Sequence, residues 1–405
     1  MHVCVLGAGI VGLASAYALH QAGHQVTVID RARPGAGASG GNGAQLSYSY
    51  VQPLADPAIW RQLPKLLLSP SSPLMVRPQL DVHQWLWGLR FLAACRPSVS
   101  HATTLALLQL AAESRLLFDA LLTREQLNCD QSATGKLVLF SDAQSWTAAI
   151  AQMHRQALLG SQQTAVTAQQ CVALEPALAH YQPNIIGAIH TPSECAADCQ
   201  KTCDALHALL QARGVRFLLD TAVHKVVARG GNVTYVSTTQ GPVQADRYVL
   251  ALGAESAPLA RTLGVYLPLY PLRGFSITLD VNDAPGAAPV VNVTDSARKV
   301  VFARIGKRLR VTGMAEVAGY GLQIAPERIA SLAASTRALF PACSEFALLR
   351  PWAGLRPASP TGRPLIGQHP KAPLNLLFNV GHGALGFTMA FGSAQRLVAV
   401  VGPPD

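Results

Sequence analysis

Val5-Leu6-Gly7-Ala8-Gly9-Ile10-Val11-Gly12-Leu13 is the stretch that decides the fold. A short apolar strand, His2 to Leu6, runs into it, Ile10 to Ala22 has the pattern of a helix closed by Gly23, and Gln25-Val-Thr-Val-Ile-Asp30 is a second strand ending on an acid. Strand, glycine turn, helix and strand make a β-α-β unit, and each glycine has a task in it. Gly7 makes the tight turn, Gly9 lets backbone N–H groups approach a pyrophosphate, and Gly12 lets the helix lie close on the strand. The helix N-terminus then faces phosphate charge, and Asp30 is placed to accept hydrogen bonds from a ribose. Glycines alone are weak evidence; with both strands, the helix and the terminal acid they specify a dinucleotide site.

Working outward, the uncharged run from Val3 to Leu19 is neither a signal peptide nor a membrane span. It lacks a basic leader, it carries the patterned glycines, and it falls short of the ~20 apolar residues a bilayer needs. The expected location is therefore cytoplasmic, with the inner face of the membrane as an option. The chain has 405 residues, half of them apolar and 13% charged, which suits two domains, α/β in class. A net charge of +10 suits acidic small molecules or an anionic lipid face. Lys and Arg are scattered and no zinc-finger or RNA-binding motif occurs, so nucleic acid is not expected. Eight cysteines at irregular spacing imply reduced thiols. Cys195, Cys199 and Cys203, four apart, are expected on successive turns of one helix, as a buried face of small residues and not as a metal site.

Beyond Asp30, residues from Arg33 to Gln45 turn to Gly, Ala and Ser and form a loop where a cofactor should lie. Asp56 to Pro97 is rich in Pro, Leu and Trp; its segment Trp85-Leu-Trp-Gly-Leu-Arg-Phe-Leu either lies in a membrane interface or packs on a second domain. Helices are expected at Thr103–Leu127, Gln144–Leu159, Ala197–Arg213 and Glu327–Phe340. Strands are expected at Lys136–Phe140, Ile185–His190 and Val215–Val227, and Tyr248-Val-Leu-Ala-Leu-Gly253 is a buried parallel strand ending on a glycine. Pro268–Leu279 and the hairpin Val300–Val317 alternate in polarity and should form a separate antiparallel sheet.

Two features favour FAD over NAD. The glycine and serine loop Gly35 to Gln45 directly follows the ribose acid and suits a long, permanently held cofactor. Asn379-Val-Gly-His-Gly-Ala-Leu-Gly-Phe-Thr388 puts a second glycine cluster before a C-terminal helix, whose N-terminus can face the electron-rich edge of a flavin. With these residues the chain resembles the small-subunit family of D-amino-acid dehydrogenases, within the group that includes glycine oxidase and D-amino-acid oxidase. The similar stretches include Gly23 to Arg31, Asn42 to Ser47, Leu252-Gly253, Pro271-Leu-Arg-Gly274, Gly313-Met-Ala-Glu316, Gly354-Leu-Arg-Pro357 and Gly381-His-Gly383 to Thr388.

The resemblance implies a Rossmann-type FAD-binding domain (1–55, 147–264 and 348–405) interleaved with an α+β substrate domain (56–146 and 265–347) whose antiparallel sheet covers the flavin. FAD contacts are then expected at Gly7, Gly9, Ile10, Val11 and Gly12; at Asp30 and Arg31; and along Ser39, Gly40, Asn42, Gly43, Ala44, Gln45 and Leu46. Further contacts are expected at Val223, Ala251 and Gly253, and at Gly381, Gly383, Leu385, Gly386 and Thr388. No metal is implied. The family's carboxylate-binding arginine falls on Arg356, where a guanidinium in an apolar stretch suits a two-pronged carboxylate grip or, alternatively, a structural ion pair. Tyr48 and Tyr50 follow the flavin-side loop, and each either meets the substrate or simply packs. Phe302 falls roughly where relatives place a substrate tyrosine. His382 is a candidate for a proton role, although its flanking glycines suggest backbone contact with the flavin ring. The implied activity is oxidation of a D-amino acid or cyclic imino acid by hydride transfer from Cα to FAD, with electrons passing to a quinone or protein partner. An oxygen-using oxidase and a non-catalytic FAD-bearing subunit are the alternatives.

Overall fold

The computed structural model describes residues 1–60, 74–158 and 160–403, so residues 61–73 of the Pro/Leu/Trp-rich stretch and Leu159 at the end of an expected helix lie outside the described residues. The glycine-decided unit is present: strand His2–Leu6, helix Ile10–Gln21 and strand Gln25–Ile29. They nucleate a six-stranded sheet whose neighbours, in order, are Leu365–Gly367, Leu376–Val380, Arg247–Leu250, His2–Leu6, Gln25–Ile29 and Arg216–Leu218; all pairs are parallel except the first. The central strands are largely buried and mostly apolar, as parallel strands covered by helices must be, while the edge strand Arg216–Leu218 is partly exposed. The helix Gly386–Val401 packs beside Ile10–Gln21 and against the long helix Pro97–Glu125, with Phe118 stacked on Phe391 at 4.9 Å.

A second, nine-stranded sheet stands over this layer. Its path runs Pro351–Ala358, Tyr270–Asp280, Arg308–Val317, Val300–Ile305, Asn292–Asp295, Lys136–Phe140, Gly187–Thr191 and Thr164–Val166, with Leu74–Val76 paired to Arg308–Val317. The expected antiparallel sheet is thus larger than its sequence signal, and two of its pairs are parallel. Thr164–Val166 and Gly187–Thr191 from the segment 147–264, and Pro351–Ala358 from 348–405, hydrogen-bond into this sheet and not into the dinucleotide layer where those segments were expected. The expected strand Val215–Val227 is two strands: the chain turns at Asp220, φ +51°, and Val223–Arg229 starts a small three-stranded antiparallel sheet.

The cysteine ridge is also corrected. Cys195 lies in the short strand Cys195–Ala196, paired with Gln45–Leu46, and only Cys199 and Cys203 are helical. Asp198 explains the break: its side chain accepts from the N–H groups of Gln200 and Lys201 and starts the helix at Cys199. All eight cysteines are buried free thiols, and burial pushes Cys195 up to about 12.

Candidate active site

Between the two layers lies a cavity of about 830 Å³. Its floor begins at the glycine turn. Gly7 has φ +114°, and a Cβ there would stand 2.5 Å from the Ala251 carbonyl oxygen; a Cβ on Gly12 would overlap the Gly7 carbonyl. Side chains at either position would push the helix off the strands, so the cradle exists only with glycine. Gly9, the N-cap of the helix, has no side chain to cap it, and of the first-turn amides only Ile10 N–H has a side-chain partner, Ser39 Oγ at 3.0 Å. At the end of the second strand Asp30 accepts from Ala8 N–H at 2.6 Å and Ala32 N–H at 3.0 Å while still bordering the cavity. The neighbouring Arg31 is exposed and makes a 3.7 Å surface ion pair with Glu255.

The loop that follows is clamped between the layers. Ser276 Oγ donates to Gly41 O at 2.8 Å, Arg310 Nη1 to Asn42 O at 2.8 Å, and Gln45 Nε2 to Phe302 O at 3.2 Å. Ala44 holds φ +57°, stabilised by its N–H donating to Asn42 Oδ1 at 2.9 Å. From the C-terminal side, His382, Gly383, Leu385 and Gly386 form the opposite wall at the head of the helix Gly386–Val401. Burial lowers His382 to about 4, and its Nε2 makes no hydrogen bond within the described protein, so the ring is neutral near pH 7.

The large sheet supplies the roof. Arg356 projects from Pro351–Ala358, lies across Gly274 of the next strand, and donates from Nη1 to Met314 O at 3.0 Å. A Cβ on Gly274 would overlap the guanidinium. Among the described residues no carboxylate pairs with Arg356, and burial lowers it to about 10, which leaves it a cation at neutral pH. The expectation of a structural ion pair therefore fails; the free side of the guanidinium faces the cavity. Thr294 Oγ1 and Thr312 Oγ1, both on residues of the roof, are buried without partners. Unsatisfied buried hydroxyls and a guanidinium without a carboxylate partner among the described residues suit a polar, anionic occupant.

Of the expected site residues, Gly7, Gly9, Ile10, Val11, Asp30, Arg31, Ser39, Asn42, Gly43, Ala44, Gln45, Val223, Ala251, Gly253, Gly383, Leu385, Gly386, Tyr50, His382 and Arg356 border the cavity. Gly12, Gly40, Leu46, Gly381 and Thr388 stand behind its wall. Gly40, for instance, lets the loop pass Gln200 and Gly35, and Thr388 Oγ1 accepts from Ser47 N–H at 3.2 Å. Tyr48 is corrected: it is buried in the helical core with Arg115 over its ring at 5.7 Å, away from the cavity. Phe302 is corrected too. It packs edge-on against Phe340 at 5.2 Å on the far side of the sheet, and its neighbour Val301 faces the cavity instead. Sequence reading missed Trp352, Thr294, Thr312 and Lys136. Lys136 carried a signal, since it is the one charge opening the apolar strand Lys136-Leu-Val-Leu-Phe140.

A family model described as FAD dependent oxidoreductase (DAO) matches residues 2–400. The chain belongs to this family. Its FAD fits the observed cavity: the glycine cradle suits a diphosphate, and the long trough between two sheets suits a flavin extended toward Arg356. The chain is 45% identical to D-amino acid dehydrogenase 2 of Ralstonia nicotianae over 99% of this chain and 96% of that one. It is 44% identical to D-amino acid dehydrogenase 2 of Pseudomonas aeruginosa, covering 100% and 96%. In fold it is similar to glycine oxidase from Geobacillus kaustophilus, with TM-score 0.77 and 20% identity over 98% of this chain and 94% of that one.

Proposed function

We propose that this FAD-dependent oxidoreductase dehydrogenates a D-amino acid or a cyclic imino acid at Cα, and that Arg356 holds the substrate carboxylate. The observation that carries the reading is a buried guanidinium without a protein counter-ion, facing the same cavity as a dinucleotide cradle. FAD, when bound, supplies the hydride acceptor. The chain's own residues do the rest. Arg356 offers parallel N–H donors to the carboxylate, so the acid end is fixed and Cα is held in one orientation. Tyr50, Trp352 and Val301 close the roof and keep water from the reacting carbon. His382, neutral and lacking a partner at Nε2, is placed as a wall of the cofactor trough and not as a base. The neutral amine loses its Cα hydrogen with both bonding electrons to become an iminium ion, which releases an N–H proton to solvent to give the imine. Water then converts an acyclic imine to the 2-oxo acid and ammonium, while a proline-type ring remains a cyclic imine.

The fold supports a division by sheet: the FAD-binding part holds the parallel layer with its helices, and the substrate-binding part holds the nine-stranded roof. A membrane-bound quinone is the acceptor that best suits the helix Val82–Ala94. Its inner side buries Trp87 and Phe91, and its outer side exposes Val82, Trp85 at 56% and Leu89 at 66%. The buried face packs on the substrate-side core, and the exposed apolar face is what supports the membrane-interface reading of the segment. Among the described residues a single helix, Gly383–Val401, is long and apolar enough to cross a bilayer, and it is a packed core helix here.

Anaerobic addition of D-alanine, D-proline and D-hydroxyproline, followed at the flavin absorbance band, tests the activity. Bleaching by one of them is the expected result; a fully flavinated protein that no amino acid bleaches would refute it. Stoichiometric peroxide at turnover in air would replace the quinone acceptor with oxygen.

A further inference from the structure

Arg356 is not the only cation in the cavity. Lys136, 3% exposed, opens the strand Lys136–Phe140, and its ammonium donates to Ser47 Oγ at 3.0 Å and sits 4.5 Å from the centre of the Tyr50 ring. Lys136, Ser47 and Tyr50 all border the cavity. No carboxylate lies within ion-pair distance of Lys136 among the described residues; the nearest acid acting on it is Glu194. Glu194 is itself 1% exposed, accepts from Ser49 N–H at 2.7 Å and leaves Oε2 without a partner. The pair is therefore a buried dipole with its positive end toward the cavity and its negative end behind the Ser47 loop. Burying a lysine at this separation from its counter-charge is unfavourable, and burial lowers it to about 8. A position like this is retained when an electron-rich occupant stabilises the cation.

Two placements identify the occupant. In the sheet, four strands lie between those of Lys136 and Arg356, which makes five spacings or about 24 Å at ~4.8 Å each, so no single amino acid touches both. Ser47, which holds the lysine, donates its N–H to Thr388 in the first turn of Gly386–Val401, so Lys136 enters beside the positive end of that helix. The diphosphate cradle and Asp30 mark the other end of the trough. The remaining stretch, between the roof and the C-terminal helix, is where the flavin ring would lie.

We propose that the Lys136 ammonium is a cationic contact to the FAD isoalloxazine that stabilises its electron-rich reduced form and so raises the reduction potential of the bound cofactor. This rests on FAD occupying the cavity, and the two ideas fail differently. A colourless protein removes the cofactor reading, while a yellow protein with an unaltered potential removes only the lysine's role. Charge near the ring is the protein's main means of setting flavin electronics. A structural role for Lys136, bracing Ser47 and Glu194, would leave the potential where it was.

The test is potentiometric titration of the purified, FAD-loaded holoenzyme and three variants under anaerobic conditions, with sulfite binding as a second readout. Lys136→Met, similar in length and uncharged, should favour the oxidised ring by about tenfold, which is ~30 mV for a two-electron couple, and should weaken sulfite binding at least tenfold. Lys136→Arg should stay near the parent in both. Lys136→Gln, uncharged but able to keep a hydrogen bond to Ser47, should lower the potential as Lys136→Met does. Should Lys136→Met yield no holoenzyme, Lys136→Gln decides. An unchanged potential in a fully flavinated Lys136→Met or Lys136→Gln protein overturns the proposal. So does a Lys136→Met protein altered only in KM for substrates with acidic side chains.

Discussion

Removing the Arg356 guanidinium is the perturbation with the most calculable result. One of its N–H groups is engaged by Met314 O at 3.0 Å, and no carboxylate pairs with it among the described residues, so a bound substrate carboxylate is the first full counter-charge it meets. Truncating one member of a buried, hydrogen-bonded charge pair costs ~2–5 kcal/mol. At ~1.4 kcal/mol per tenfold, Arg356→Ala should lower kcat/KM between roughly 30-fold and a few thousand-fold. The carboxylate is held equally before and during hydride loss, so most of the effect belongs in KM; a fall in kcat measures how far Cα has drifted from alignment. Arg356→Lys keeps a point charge without the fork and should recover only part of the loss. The assay is anaerobic rapid mixing with D-amino acids, which separates substrate affinity from the rate of flavin bleaching, with FAD content read from the same spectra. Because burial brings Arg356 only to about 10, the cation persists through neutral pH, and affinity should fall only as pH rises through that value. A fully flavinated Arg356→Ala protein whose kcat/KM stays within threefold of the parent would refute the assignment.

Other perturbations bear on the rest of the site. Gly12→Ala drives a methyl group into the Gly7 carbonyl and should abolish FAD retention, measured as flavin per polypeptide after gel filtration; full retention would contradict the cradle. His382 has a folded pKa lowered to about 4 from 6.5, so the unfolded chain binds the extra proton and stability is lost as pH falls from about 6.5 toward 4. The loss is at most about 3 kcal/mol, and urea melts of His382→Gln should show a weaker pH dependence over that window than the parent; identical slopes would count against it. Trp85→Ser with Leu89→Ser should leave FAD content and turnover with a soluble dye unchanged while reducing co-sedimentation with anionic lipid vesicles several-fold. Equal sedimentation would remove the membrane foot.

How much of this was legible before the structure depended on whether the constraint is local. Gly7, Gly9 and Gly12 constrain a backbone turn within six residues, so their spacing alone was sufficient. The roof was legible only in part. Tyr270–Asp280 and the hairpin announced themselves by alternation. Pro351–Ala358 did not, because Gly354, Arg356 and Pro357 dilute the strand signal, and its partner is fixed by pairing across 80 residues of sequence. Phe302 illustrates a limit of phase: Val300, Val301 and Phe302 are all apolar, so the pattern could give a strand without saying which face met the cavity. Tyr48 and Tyr50 diverge because the chain bends between them, and a bend leaves no period to read. Lys136 stood outside every motif, and only the fold brings its strand beside the Ser47 loop.

The arrangement that leaves Arg356 unpaired has its cause one residue away in the sheet. Arg356 lies opposite Leu272 across the ladder, and the next residue, Arg273, points to the reverse face, where it meets Glu316 at 2.6 Å. Glu316 also binds Arg328 at 2.8 Å and lies 3.8 Å from Arg77, so this acid is saturated by three guanidiniums on the side away from the cavity. The ladder between Tyr270–Asp280 and Arg308–Val317 shifts register between Arg273 and Phe275, where Met314 takes φ +61° and gives its carbonyl to Arg356. Such an irregularity re-aims a backbone group without breaking the sheet. Gly274, facing Gly354 across the next pair of strands, then leaves the slot in which the guanidinium lies. Alternation sorts the arginines into paired and unpaired, the bulge orients the unpaired one, and Gly274 makes room for it, while Gly354 makes room for Trp352. The proposed carboxylate grip thus depends on strand register, and a one-residue slip in this ladder would remove it while leaving the amino-acid composition of the site unchanged.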